Sequence, residues 1–181
     1  MRLVTYNLFN GAAGSYNRLV ELTRIANPDV LCLQEVNGWQ NDRERLLESF
    51  TDQALFAGYA YGNSNTEYKL ATFSKHNILS QDVHVAGFWH CVVETRVMFE
   101  DQEITIYNVH LDPWKEENRL REVERLLGLL DAAKMVIIAG DFNSLSRHDN
   151  YGEDFVQDMR AHGISKYGEA QLEFRVTDRL E

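Results

Sequence analysis

Met135-Val136-Ile137-Ile138-Ala139 runs directly into Gly140-Asp141-Phe142-Asn143. Five apolar residues in a row predict a strand covered on both faces. With the two-residue period of a strand, Met135, Ile137, Ala139, Asp141 and Asn143 share one face. Asp141 then projects where Ile137 and Ala139 project, toward packed interior. A carboxylate buried there without a partner costs several kcal/mol, so it must shift its pKa or find a cation. A buried strand that delivers an acid at its carboxyl end predicts a sheet whose ligand site lies at that rim.

Three other stretches repeat this design. Leu3-Val4-Thr5-Tyr6 leads to Asn7, Val30-Leu31-Cys32-Leu33 leads to Gln34 and Glu35, and the strand from Ile104 to Val109 leads to His110. Alternation puts Ile104, Ile106, Asn108 and His110 on one face. If these strands share sheets, Asn7, Glu35, His110, Asp141 and Asn143 converge. Glu35 and Asp141, with amide oxygens from Asn7 and Asn143, form an all-oxygen set suited to Mg2+ or Mn2+ rather than zinc. Each residue alone also has an ordinary reading: a salt bridge for Glu35, a turn cap for Asp141, a hydrogen-bonded strand histidine for His110, loop support for Asn7. His76, His84, His90, His148 and His162 share no spacing and read as surface or structural residues.

Between these strands the pattern is mixed. Leu19, Leu22 and Ile25 predict a helical stripe, stopped by Asn27-Pro28-Asp29. A second helix is expected over Asp42 to Ala54. Strands are expected at Gly58 to Tyr61, Leu70 to Ser74, Val83 to Phe88, Cys91 to Phe99 and Ile104 to Leu111, with a turn at Glu100-Asp101-Gln102. Asp112-Pro113 reads as a helix start, followed by a stripe of Leu120, Val123, Leu126, Leu127 and Leu130. Weak helical segments follow at Phe155 to Ala161 and Ala170 to Leu180. The order predicts an α/β protein with one or two large mixed sheets and helices outside.

The 181 residues are 44% hydrophobic and 25% charged, the composition of one ordinary globular domain spanning 1–181. The net charge of −10 disfavours a sequence-blind sleeve for nucleic acid. Cys32 and Cys91 lie in apolar runs without ligand-spaced partners, so neither a disulfide framework nor a cysteine-type zinc site is expected. No apolar stretch reaches the roughly 18–20 residues of a membrane helix, and no signal peptide is evident. A soluble protein of a reducing, cytoplasmic compartment is expected.

Five short pieces, taken in order, resemble the endonuclease/exonuclease/phosphatase superfamily, the fold of type-I deoxyribonuclease. They are Thr5-Tyr6-Asn7, Asp29 to Glu35, Leu70 to Lys75, Tyr107-Asn108-Val109-His110-Leu111, and Ile138 to Asn143. The resemblance implies a four-layer α-β-β-α sandwich of two mixed sheets. It implies a phosphoester hydrolase that attacks with water in line and uses Mg2+ or Mn2+. Glu35 matches the metal-ligating carboxylate, with Asn7 beside it. Asp141 matches the aspartate that orients or deprotonates the attacking water, and Asn143 the asparagine that holds the scissile phosphate. His110 matches a phosphate-binding or leaving-group histidine. Glu67 is the candidate carboxylate supporting it. The acidic composition slightly favours a small-molecule or lipid phosphoester over long nucleic acid, and the substrate is left open among the three.

The family pattern also contains a late Ser-Asp-His, and an Arg-Ile-Asp-Tyr-type strand before it. Neither occurs here. The expectation is therefore a chain in which the second sheet is incomplete and activity is impaired. A non-catalytic fragment or interaction module on the same scaffold is the alternative. Uncovered sheet, or the stripe of Leu172, Val176 and Leu180, is expected to drive self-association.

Overall fold

The computed structural model describes residues 1–40, 45–131, 134–152, 154–168 and 171–181. The chain divides into two compact units. The first comprises Met1–His110 and Asp131–Asp141, the second Leu111–Leu130 and Phe142–Glu181.

The first unit holds both sheets. One has the order β1 (Leu3–Asn7), β2 (Val30–Gln34), β4 (Leu70–Ser74), β3 (Gly58–Gly62). The other runs β5 (Ile78–His84), β6 (Val92–Phe99), β7 (Gln102–His110), β8 (Met135–Asp141). Each sheet joins one parallel pair, β1 with β2 and β7 with β8, to antiparallel neighbours, so both are mixed. This is the expected α/β sandwich, and the two inner faces pack on each other. Val30, Cys32, Val97, Ile104, Ile106 and Ala139 fill the space between them. The alternation read for Ile104, Ile106 and Ala139 therefore holds.

A polar bridge joins the two sheets inside that core. Asn108 Oδ1 accepts Gln34 Nε2 at 2.8 Å, while Asn108 Nδ2 donates to the Leu33 and Ala71 carbonyls at 3.2 and 3.1 Å. Every polar group of this amide is matched, which makes the bridge specific to one relative placement of the sheets.

Two helices, α1 (Tyr16–Ala26) and α2 (Leu46–Gln53), cover the outer face of the first sheet. Leu19 and Val20 of α1, Leu47 and Phe50 of α2, and the buried Trp39 pack with Leu31, Leu33 and Phe73. The stripe expected on α1 is rotated. Leu19, Val20 and Thr23 are buried, whereas Leu22 and Ile25 face solvent. Asn27 closes this helix in the left-handed conformation, as the Asn-Pro stop suggested. The start of the second expected helix, at 42–44, lies outside the described residues.

The strand expected at Val83 to Phe88 is displaced to β5. Its edge position leaves most of its side chains exposed, so its sequence lacks an apolar run. Gly87, at φ 81°, turns the chain at Val85 to Phe88 instead. The expected turn after Phe99 is confirmed. Glu100 and Asp101 both take positive φ, a two-residue turn that matches strand twist.

The second unit contains α3 (Glu116–Leu127), α4 (Phe155–Ala161) and α5 (Arg175–Leu180). The helix expected from Asp112 begins four residues later. Asp112 Oδ1 instead accepts the Trp114 and Lys115 amides at 2.7 and 2.9 Å, an Asx turn that precedes the helix. The buried face of α3 carries Glu116, Arg119 and Glu122 beside Val123 and Leu126, so it is not the purely apolar stripe expected. α5 begins later than the predicted helix, and Ala170 lies outside the described residues. Val176 is fully buried and α5 packs on α3. Of the stripe expected to drive self-association, Val176 is therefore covered by the chain itself, whereas Leu172 and Leu180 are half-buried. Among the described residues, no helix is long and apolar enough to cross a membrane.

Candidate active site

The carboxyl ends of β1, β2, β7 and β8 bring Asn7, Glu35, His110 and Asp141 together in the first unit. Asn7 is the hub. Its Nδ2 donates to Glu35 Oε1 at 3.1 Å and to Asp141 Oδ2 at 2.8 Å. Its Oδ1 accepts the Phe9 amide at 2.9 Å. With acceptors on one side and a donor on the other, only one amide orientation satisfies all three contacts. His110 Nε2 stands 3.7 Å from the same Asp141 oxygen.

Backbone conformation sets these positions. Glu35 follows β2 directly and takes φ 61°, which turns its side chain off the strand's alternation. Its Oε2 accepts the Asn10 amide at 2.7 Å. Gly140 takes φ 145°, and a β-carbon there would stand 2.0 Å from the Val109 carbonyl oxygen. The absence of a side chain lets β8 lie against β7 in the register that pairs His110 with Asp141.

A second imidazole completes the group. The ring of His90 stacks on that of His110 with centroids 4.2 Å apart and planes 22° from parallel. His90 Nδ1 lies 2.6 Å from Thr66 Oγ1. Sequence reasoning set His90 aside as structural. The β6–β7 register carried the missing signal, since pairing Val92 with Val109 brings His90 level with the end of β7.

Glu67 is exposed, and among the described residues its carboxylate makes no hydrogen bond or ion pair. The loop residue that reaches the imidazole pair is its neighbour Thr66. Asn143 belongs to the second unit. There it takes φ 50°, donates Nδ2 to the Leu111 carbonyl at 3.0 Å and accepts Lys166 Nζ at 3.2 Å.

Two half-buried carboxylates converging on one N–H2 group form a place that favours positive charge, with hard oxygen donors. That chemistry fits Mg2+ or Mn2+. Among the described residues no three His, Cys, Asp or Glu side chains cluster as a metal cage. Asn7 turns its nitrogen, not its oxygen, toward the carboxylates. The oxygen donors of this arrangement are therefore the carboxylates of Glu35 and Asp141.

A family model described as Endonuclease/Exonuclease/phosphatase family matches residues 4–155. Among solved structures, D. rerio TDP2 complexed with single strand DNA product is 17% identical, with a TM-score of 0.63 over 88% of this chain and 64% of that one. TDP2 from C. elegans is 19% identical, with a TM-score of 0.60 over 83% of this chain and 50% of that one. An AP endonuclease from Archaeoglobus fulgidus is 12% identical, with a TM-score of 0.63 over 88% and 63%. These likenesses establish a shared fold. The chain spans between half and about two thirds of the length of these structures. No curated protein matches the sequence.

Proposed function

This chain belongs to the Endonuclease/Exonuclease/phosphatase family, and we propose that it is a phosphoester hydrolase that depends on Mg2+ or Mn2+. One observation carries the reading: a single amide, Asn7, ties the carboxylates of Glu35 and Asp141 together beside His110.

Glu35 would hold the divalent cation, which supplies neutralisation of phosphate charge when bound. Asp141 orients the attacking water and takes its proton. Asn7 keeps the Asp141 carboxylate fixed through Oδ2, so the acceptor does not have to be ordered during the reaction. His110 hydrogen-bonds a phosphate oxygen or the leaving group. For Asn143 the family resemblance implies a role in holding the phosphate; its Nδ2 here donates to the Leu111 carbonyl within the second unit. Glu67 has no part beyond the loop that carries Thr66.

The likeness to D. rerio TDP2 complexed with single strand DNA product supports a nucleic-acid phosphodiester as substrate. The two buried cysteines carry no disulfide, which suits a reducing, cytoplasmic setting. Turnover by these 181 residues should be slow, because the late Ser-Asp-His of the family pattern has no counterpart in the sequence.

Hydrolysis of an activated phosphodiester with Mg2+ or Mn2+ tests the reading. Asp141→Asn should reduce the rate by roughly 10²–10⁴-fold, the usual contribution of a positioned acid or base. Calorimetric titration with Mn2+ should give heat with wild type and much less with Glu35→Gln. Equal heats would remove Glu35 from the site. Equal rates for wild type and Asp141→Asn would favour a non-catalytic module.

A further inference from the structure

We propose that Phe9 is a stacking platform for one unpaired base of the substrate strand, beside the phosphate site. The hydrolase reading above supplies the position of that phosphate.

Phe9 is 90% exposed, although its neighbour Leu8 is buried. It lies in an unusual turn. Phe9, Asn10, Gly11 and Ala12 take φ of 47°, 64°, 80° and 54°, four left-handed residues in succession. Only one is glycine, and L side chains disfavour this conformation. Such backbone persists only where its surroundings over-determine it.

The surroundings here are the site itself. Asn7 Oδ1 accepts the Phe9 amide, and Glu35 Oε2 accepts the Asn10 amide. The Glu35 carbonyl accepts the Gly11 amide at 2.7 Å, and the Leu8 carbonyl accepts that of Ala12 at 3.1 Å. The buried Trp39 donates Nε1 to the Gly11 carbonyl at 3.0 Å. At Gly11 a β-carbon would stand 2.5 Å from the Asn37 carbonyl oxygen, so the turn lies directly against the backbone at Asn37. The same side chains that build the phosphate site therefore hold an apolar ring out in solvent. Packing does not account for this arrangement, because the ring is almost wholly exposed.

The neighbouring concavity, about 700 Å3, is lined by Tyr6, Phe9, Ala13, Arg18 and Leu22 among others. Tyr6 is exposed, and Arg18 is an exposed cation with no ion pair among the described residues. Aromatic face, phenol and guanidinium together match a flat heterocycle joined to a phosphate. The net charge of −10 argues against affinity drawn from many phosphate contacts. Stacking on a base face needs no such charge and tolerates any base.

Pentathymidylate and an abasic pentanucleotide with the same number of phosphates separate the two sources of affinity. Titrated calorimetrically in Mg2+ buffer, wild type should prefer pentathymidylate by roughly tenfold, as one stacked base implies. Phe9→Ala should abolish that preference, and Phe9→Trp should keep it. Equal binding of both oligonucleotides by wild type would overturn the proposal, as would a preference that survives in Phe9→Ala. Phe9-dependent binding to phosphatidylcholine vesicles without a base preference would also overturn it. The binding result is independent of turnover: hydrolysis of an activated diester without base preference retains the hydrolase and removes the platform, and base preference without hydrolysis does the reverse.

Discussion

His90 and His110 lie face to face in the interior of the first unit, 1% and 4% exposed, with ring centroids 4.2 Å apart. One ring is tied to Thr66 and the other faces Asp141. His90 thereby covers one face of the His110 imidazole. It acts on the candidate site through His110, which makes it a positioning residue.

His90→Ala should open a cavity against the His110 ring and loosen its orientation toward Asp141. His90→Phe keeps an aromatic face but loses the Thr66 contact. If stacking positions His110, the phenylalanine variant restores the wild-type His110 imidazole nitrogen signature in NMR spectra and the alanine variant does not. Stability should fall by about 0.5–1.5 kcal/mol in the alanine variant beyond the loss of buried area, the usual worth of an aromatic pair.

Gly140→Ala should be severe. The new β-carbon meets backbone atoms of Val109, which cannot swing aside, and φ 145° is unfavourable for any L side chain. A loss of more than ~3 kcal/mol is expected, from backbone strain and overpacking together. Gly14→Ala is the control. It also has positive φ but nothing within 4 Å. Urea denaturation should show a small loss at Gly14 and a large one at Gly140.

Cys32 and Cys91 predict a pH dependence. Burial pushes both thiols from 9.0 up to about 12. Between those values the unfolded thiols release protons that the folded ones retain. The unfolded state then binds fewer protons, so stability falls as pH rises. Below pH 9 both states carry neutral thiols and the contribution is constant. Thermal denaturation should show Tm falling above about pH 9, and this slope should shrink in Cys32→Ala, once its cavity cost at pH 7 is subtracted.

Arg119 organises the second unit. Fully buried, it donates Nε and Nη2 to Glu116 Oε2 at 3.1 and 2.9 Å, and further to the Asp112 and Lys166 carbonyls. Glu116 Oε1 in turn accepts the Val176 amide at 3.1 Å. Arg119→Ala leaves a buried carboxylate without its cation and should cost about 3–5 kcal/mol. Limited proteolysis should then cut readily between 145 and 175. Replacing both members, Glu116→Gln with Arg119→Met, should recover part of the loss.

The sequence by itself determined four strand ends and what they carry. Continuous apolar runs at Val30 to Leu33 and Met135 to Ala139 mark strands, because local hydrophobicity and period suffice, but only β2 is covered on both faces as expected; β8 lies at the edge of its sheet, with Met135 exposed and Val136, Ile137 and Ile138 half-buried. The same alternation aimed Asp141 and His110 inward, and the structure has both beside Asn7. Elements decided by packing were not legible in this way. The edge strand β5 lacks an apolar run because most of its side chains face solvent. The rotation of α1 depends on which residues meet the first sheet, and Leu22 and Ile25 are as apolar as those that do. Charges on the buried face of α3 escape a hydrophobicity reading because their burial depends on partners far along the chain, from Lys166 to Val176. The orientation of the Asn7 amide, the stack of His90 on His110 and the left-handed turn at Phe9 were decided only by tertiary structure. Each arises where residues distant in sequence compete for the same few ångströms, and only the assembled sheets determine which hydrogen bonds are made there.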